Sequence, residues 1–119
     1  MVRDYPDARP LECEIAERLG LDPERVVVTA GADEALDRVF RAYLAPGRRL
    51  LLPVPAFEGM YRLAAVVGGG VRPVPWAEAY ATENVIAGLD DSVSLIAMIS
   101  PNNPTGRTAT ASDLESVAE

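Results

Sequence analysis

Two side-chain amides, Asn102 and Asn103, lie inside the string Ser100-Pro101-Asn102-Asn103-Pro104-Thr105-Gly106, and no residues in the chain are better suited to holding a ligand. An asparagine side chain donates and accepts hydrogen bonds without carrying charge. Pro101, Pro104 and Gly106 stop regular structure at once and leave a rigid loop. The preceding residues 94–99, Ser-Leu-Ile-Ala-Met-Ile, are apolar without alternation, the pattern of a strand covered on both faces of a parallel sheet. Open α/β folds collect ligands at the carboxyl ends of such strands. Asn-Pro alone would specify no more than a turn. The full string directly after a buried strand points to a binding loop.

A second group of residues suits an anion. A strand, then Gly31, then a helix opening at Ala32 brings free backbone N–H groups and the positive end of a helix dipole to one point, which fits a phosphate dianion. Gly31 allows close approach of the backbone, the N–H groups of Ala32 and Asp33 are the donors, and the Asp33 carboxylate should turn away toward a neighbouring amide. Phe57 follows Pro53-Val54-Pro55 at the end of a further strand, where its ring either belongs to the core or offers an aromatic face to a flat ligand. Gly68-Gly69-Gly70 follows a helix and precedes a strand with no Gly-Lys-Ser/Thr behind it, so it reads as a helix end rather than a phosphate loop.

The elements that must position these residues alternate. Residues 10–19 form a first helix, with Leu11, Ile15 and Leu19 on one face and Gly20 ending it. Residues 25–29 hold the β-branched run Val26-Val27-Val28, a short buried strand. A helix from Gly31 continues through Leu36, Val39, Phe40 and Tyr43 until Pro46-Gly47 breaks it. Residues 49–53 form a second strand, 57–67 a third helix with Leu63, Ala64 and Val67 inward, and 71–76 an edge strand because Pro73 and Pro75 interrupt its ladder. A weak helix over 83–89 precedes the strand at 94–99, and Thr110 with Asp113 resembles a capping box opening a last helix.

Composition removes several classes of function. With 119 residues, 49% of them hydrophobic, the chain fits one small domain with a real core. Its net charge of −7 opposes nucleic acid and anionic membrane surfaces. No apolar run is long enough to span a bilayer and the first residues are unlike a signal peptide, so a cytoplasmic location is expected. Cys13, the one cysteine, follows the apolar pattern of the first helix and reads as a core residue in a reducing compartment. Histidine is absent, which rules out a Ser-His-Asp triad and the usual metal ligand. Lysine is absent too: all 11 basic residues are arginine.

The loop 100–106 looks like the Asn-Pro-Thr-Gly loop of fold-type-I enzymes that use pyridoxal 5'-phosphate, and its longer form is similar to aminotransferases of the histidinol-phosphate type. Thr29-Ala30-Gly31-Ala32-Asp33-Glu34-Ala35-Leu36 and Pro53-Val54-Pro55-Ala56-Phe57 agree in order and spacing. The resemblance implies an α/β fold, a partial three-layer large domain with a mostly parallel sheet and flanking helices. Residues 1–119 would be part of that domain, incomplete at both ends, with exposed apolar edges where later strands belong.

Further roles follow from the same resemblance. Asn103 would donate to the ring hydroxyl oxygen of pyridoxal phosphate, Phe57 would stack on the pyridine, and the backbone at Gly31, Ala32 and Asp33 would hold the phosphate. Asn102 is left without a firm role. The Asn103-Pro104 bond is expected to be cis. Tyr5 would reach the cofactor phosphate of a neighbouring subunit in a homodimer. Tyr61 lies four positions after Phe57 rather than the usual three, which leaves it outside the expected site. Substrates would be an amino acid or amino-alcohol phosphate and a 2-oxo acid. The Schiff-base lysine such enzymes need is missing from this sequence, so the chain alone is expected to be inactive. An amino-acid-phosphate decarboxylase of the same fold shares these loops, and a non-catalytic remnant would also carry them.

Overall fold

The structure is a computed structural model that describes residues 6–76 and 80–119. It divides into two compact units, Met1–Ala35 and Leu36–Glu119. The first unit contains α1 (Arg9–Leu19), a 3-10 turn (Pro23–Arg25) and the opening turn of α2 (Gly31–Tyr43). Gly20 ends α1 in the left-handed region, where its N–H reaches Glu17 O and the next N–H, of Leu21, reaches Ala16 O.

Two expectations fail in this unit. Residues 26–29 are not a strand: Val26 has extended backbone, but the Val28 N–H is taken by Glu12 Oε1 at 2.9 Å instead of by a neighbouring strand. A β-branched run gives a chain the conformation of a strand; the ladder needs a partner. Cys13 is exposed rather than in the core. On α1 only Ala16 is buried, with Leu11 49% and Leu19 65% exposed and Ile15 half-buried, so the apolar stripe read from the sequence is largely uncovered among the described residues.

The second unit is a three-layer sandwich built on β1 (Arg49–Val54), β2 (Gly70–Pro75) and β3 (Val93–Ile96). The strand order is β2-β1-β3 and both pairings are parallel, with Leu51 opposite Arg72 on one side and Ile96 on the other. The central strand carries Leu50-Leu51-Leu52, all fully buried, and successive residues serve opposite faces. Leu50 and Leu52 pack with Phe40 and Leu44 from α2 and its end and with Met60 and Ala64 of α3 (Gly59–Val66). Leu51 packs with Val74, Ala81 and Val85, the last from α4 (Thr82–Ala87), and with Val117 of α5 (Ala111–Ala118). Burying both faces is what parallel pairing demands, because the crossover helices must lie somewhere.

Strand β2 lies at an edge, as its prolines require. The last strand is shorter than the apolar run suggests: it spans Val93–Ile96, and residues 97–99 continue without ladder pairing apart from Ala97 N–H to Leu51 O. Its residues are half-buried because β3 has a strand on one side only. Along its outer side runs a groove of about 360 Å³ lined by Tyr43, Leu89, Val93, Ser94, Leu95 and Ile96, the exposed apolar edge anticipated above. The third helix begins at Gly59, two residues later than expected, which leaves Phe57 in the preceding loop. Gly68 and Gly69 close that helix by donating to Ala65 O and Ala64 O, and Gly70 opens β2. The capping box at α5 is present, with Thr110 Oγ1 accepting from Asp113 N–H and Asp113 accepting from Thr110 N–H.

Candidate functional site

Parallel strands end at the same edge of a sheet, so the segments after β1, β2 and β3 come together there by construction. These are the loop with Pro55 and Phe57, the segment with Trp76, and the loop 100–106. One acceptor joins all three: the Pro55 carbonyl receives Asn102 Nδ2 at 3.0 Å and Trp76 Nε1 at 2.9 Å. Asn102 Nδ2 also donates to Thr105 Oγ1 at 2.8 Å. The Asn102 backbone is fully used as well, its N–H donating to Arg107 O and its carbonyl accepting from Gly106 N–H, both at 2.7 Å. Gly106 adopts φ 72°, the left-handed conformation that turns its N–H back onto that carbonyl.

The root of the loop is held separately. Tyr80 Oη donates to Ile99 O at 3.0 Å, and its ring meets Trp76 edge-on at 4.9 Å between centroids. Burial, with the Asp113 charge as a lesser cause, raises the Tyr80 phenol above its ordinary range, so it remains a donor. The Arg107 guanidinium lies over the Trp76 ring at 5.9 Å. Bonds from Val54, Ser100 and Asn103 to the following prolines are cis; the last of these is the one expected.

Within this frame the two asparagines differ. Asn102 is 2% exposed and buried in the loop's own network. Asn103 is exposed, and its side chain carries no hydrogen bond to another described residue. Phe57 is 37% exposed, large for an aromatic ring at the end of a buried strand. Its ring occupies the space where a Cβ on Gly59 would stand. The Asn102–Pro55 bond therefore sets the loop of Asn103 beside the loop of Phe57.

Gly31, Ala32 and Asp33 lie in the first unit. Gly31 has φ 80°, its N–H returns to Thr29 O, and a Cβ built there would meet nothing within 4 Å. The N–H groups of Ala32 and Asp33 make no hydrogen bond to another described residue, and both residues are exposed. First-turn N–H groups at the positive end of a helix dipole are the donors an anion would use. The carboxylate that turns back on a backbone amide is Glu34, accepting from Ala30 N–H, and not Asp33. Tyr5 lies outside the described residues. Tyr61 is exposed on α3.

Sequence reasoning missed Asn102, Trp76 and Tyr80 as the residues that hold the site's loops. A usable signal existed for Trp76, the only tryptophan, placed where β2 ends: a half-buried indole N–H needs an acceptor. Among the described residues no cluster of His, Cys, Asp or Glu could hold a metal ion, and no helix is long and apolar enough to cross a membrane.

Known proteins agree with this architecture. The family described as aminotransferase class I and II matches residues 2–119. A histidinol-phosphate aminotransferase of Shigella dysenteriae serotype 1 is 34% identical over 119 residues, covering 97% of this chain and 33% of that protein. The chain thus spans about a third of the length of such relatives. Among solved structures, an alanine aminotransferase from Pyrococcus furiosus superposes with TM-score 0.84 at 30% identity, over 96% of this chain and 32% of its own. The histidinol-phosphate aminotransferase of Sinorhizobium meliloti, solved with pyridoxal-5'-phosphate, shares the fold with TM-score 0.85 at 23% identity, over 97% and 32%. The chain belongs to the class I and II aminotransferase family.

Proposed function

We propose that this chain supplies part of the pyridoxal phosphate pocket of an aminotransferase that moves an amino group between an amino acid or amino-alcohol phosphate and a 2-oxo acid. The observation that carries the reading is the exposed Asn103, on a loop tied to the one that holds Phe57 at the carboxyl edge of the parallel sheet. When bound, the cofactor supplies an electron sink for the substrate carbon. Asn103 donates to the ring hydroxyl oxygen, and Phe57 offers its face to the ring. The N–H groups of Ala32 and Asp33, with Gly31 giving room, hold the phosphate, and Tyr5 serves the phosphate of a partner subunit. The proposal extends to a homodimeric, cytoplasmic, biosynthetic enzyme.

The catalytic amine is not in this sequence, because it contains no lysine. The chain by itself is therefore inactive and binds the cofactor weakly and without a covalent bond. Titration with pyridoxal phosphate, then borohydride reduction and peptide mapping, tests both parts. Saturable uptake with no adduct on any internal side chain is the expected result; an adduct on the Met1 α-amine, partly unprotonated near pH ~8, is adventitious. Absence of uptake, or an internal adduct, overturns the proposal.

A further inference from the structure

Asn102 is the one buried polar side chain in the described core, and its burial is costly: Oδ1 is inaccessible and has no hydrogen-bond partner. Its amide has a defined orientation, because the Pro55 carbonyl and Thr105 Oγ1 both face Nδ2. An apolar residue of similar size would avoid the orphaned acceptor, so burial alone does not account for an amide here. The amide does what an apolar group cannot. It ties the turn at residue 105 to the carbonyl two residues before Phe57, across 47 residues of sequence.

We propose that Asn102 is a positioning residue that presents Asn103 to the cofactor ring while making no contact with it. This rests on the pyridoxal phosphate reading above. Asn103 is the next residue along a backbone whose N–H and carbonyl at Asn102 are both engaged, and the Asn102 amide anchors that backbone to the Pro55 carbonyl, so the placement of Asn103 depends on it. Aspartate cannot replace it, since a carboxylate would face the Pro55 carbonyl with no donor. Trp76 reports on the arrangement, its indole N–H sharing that carbonyl.

The test uses the full chain with Asn102→Ala, Asn103→Ala and the double variant, reading pyridoxal phosphate affinity, Trp76 emission and the urea midpoint. Asn102→Ala should shift the emission and weaken cofactor binding roughly tenfold, a change that corresponds to one displaced hydrogen bond. Asn103→Ala should weaken binding and leave the emission unchanged. The double variant should bind no more weakly than the weaker single, because one residue acts through the other. Additive losses, or unaltered affinity in Asn102→Ala, overturn the positioning role while the pocket stands. Failure of the unsubstituted chain to bind overturns the pocket and this role together. Should Asn102→Ala not fold, Thr105→Val takes its place in the cycle: it removes one acceptor at an exposed residue, and unchanged affinity there counts against the proposal.

Discussion

At Asn103 exposure and the lack of a side-chain hydrogen bond among the described residues separate stability from binding. Asn103→Ala should change the unfolding free energy from a urea titration by no more than about 0.5 kcal/mol, as surface substitutions do, while cofactor titration shows weaker uptake. Gly59 makes the complementary case for Phe57. Gly59 lies outside the left-handed region and begins a helix, so alanine suits its backbone, yet the new Cβ would overlap Phe57 Cε1 and Cζ. Gly59→Ala should therefore keep or raise the melting temperature and still weaken pyridoxal phosphate binding, because the ring must swing away. Equal affinity in that variant would show that the ring's present position is immaterial. Asp113 carries a pH dependence. Its carboxylate accepts from Thr82 Oγ1, the largest cause, and from the Thr110 backbone and hydroxyl, which together hold its pKa below the ordinary value. Stability from these bonds is present above the usual aspartate range near pH ~4 and is lost as pH falls through the lower folded value. An acid titration of wild type against Asp113→Asn should show the contribution vanish in the variant.

Among the elements, α5 depends most on local chemistry. Its capping box satisfies first-turn donors, so Thr110→Ala should cost about 1 kcal/mol by denaturant unfolding. This helix was legible from Thr110 and Asp113 alone, as were the helices around Phe40 and Ala64 and the strand at Leu50-Leu51-Leu52, because periodicity and caps are local signals. Val26-Val27-Val28 was misread for the opposite reason: its side chains favour extension, and only a neighbour makes extension a strand. The burial of β3 was overestimated on the same ground. In the site, the string around Asn103 was readable by its residue types. The structural role of Asn102 was not, since the burial of its amide depends on the Pro55 carbonyl 47 residues away.

For the whole molecule, the two units differ in what protects them. Both apolar clusters lie in Leu36–Glu119, whereas Ala16 is the only buried residue among the described part of the first unit. Native-state hydrogen exchange should find the slowest amides at Leu50, Leu51 and Leu52 and fast exchange over residues 9–30. Uniform protection would contradict that division. The bond from Asn102 to Pro55 has a further consequence, for assembly. It closes a loop that encloses α3, β2, α4 and β3, so the entropy of that closure is offset by the sheet contacts between its two ends. A ligand recognised by residues on both sides of that closure meets its site only in the finished sheet. On the proposed pocket, its binding energy would add to the stability of the second unit by mass action, and added pyridoxal phosphate should raise the urea midpoint.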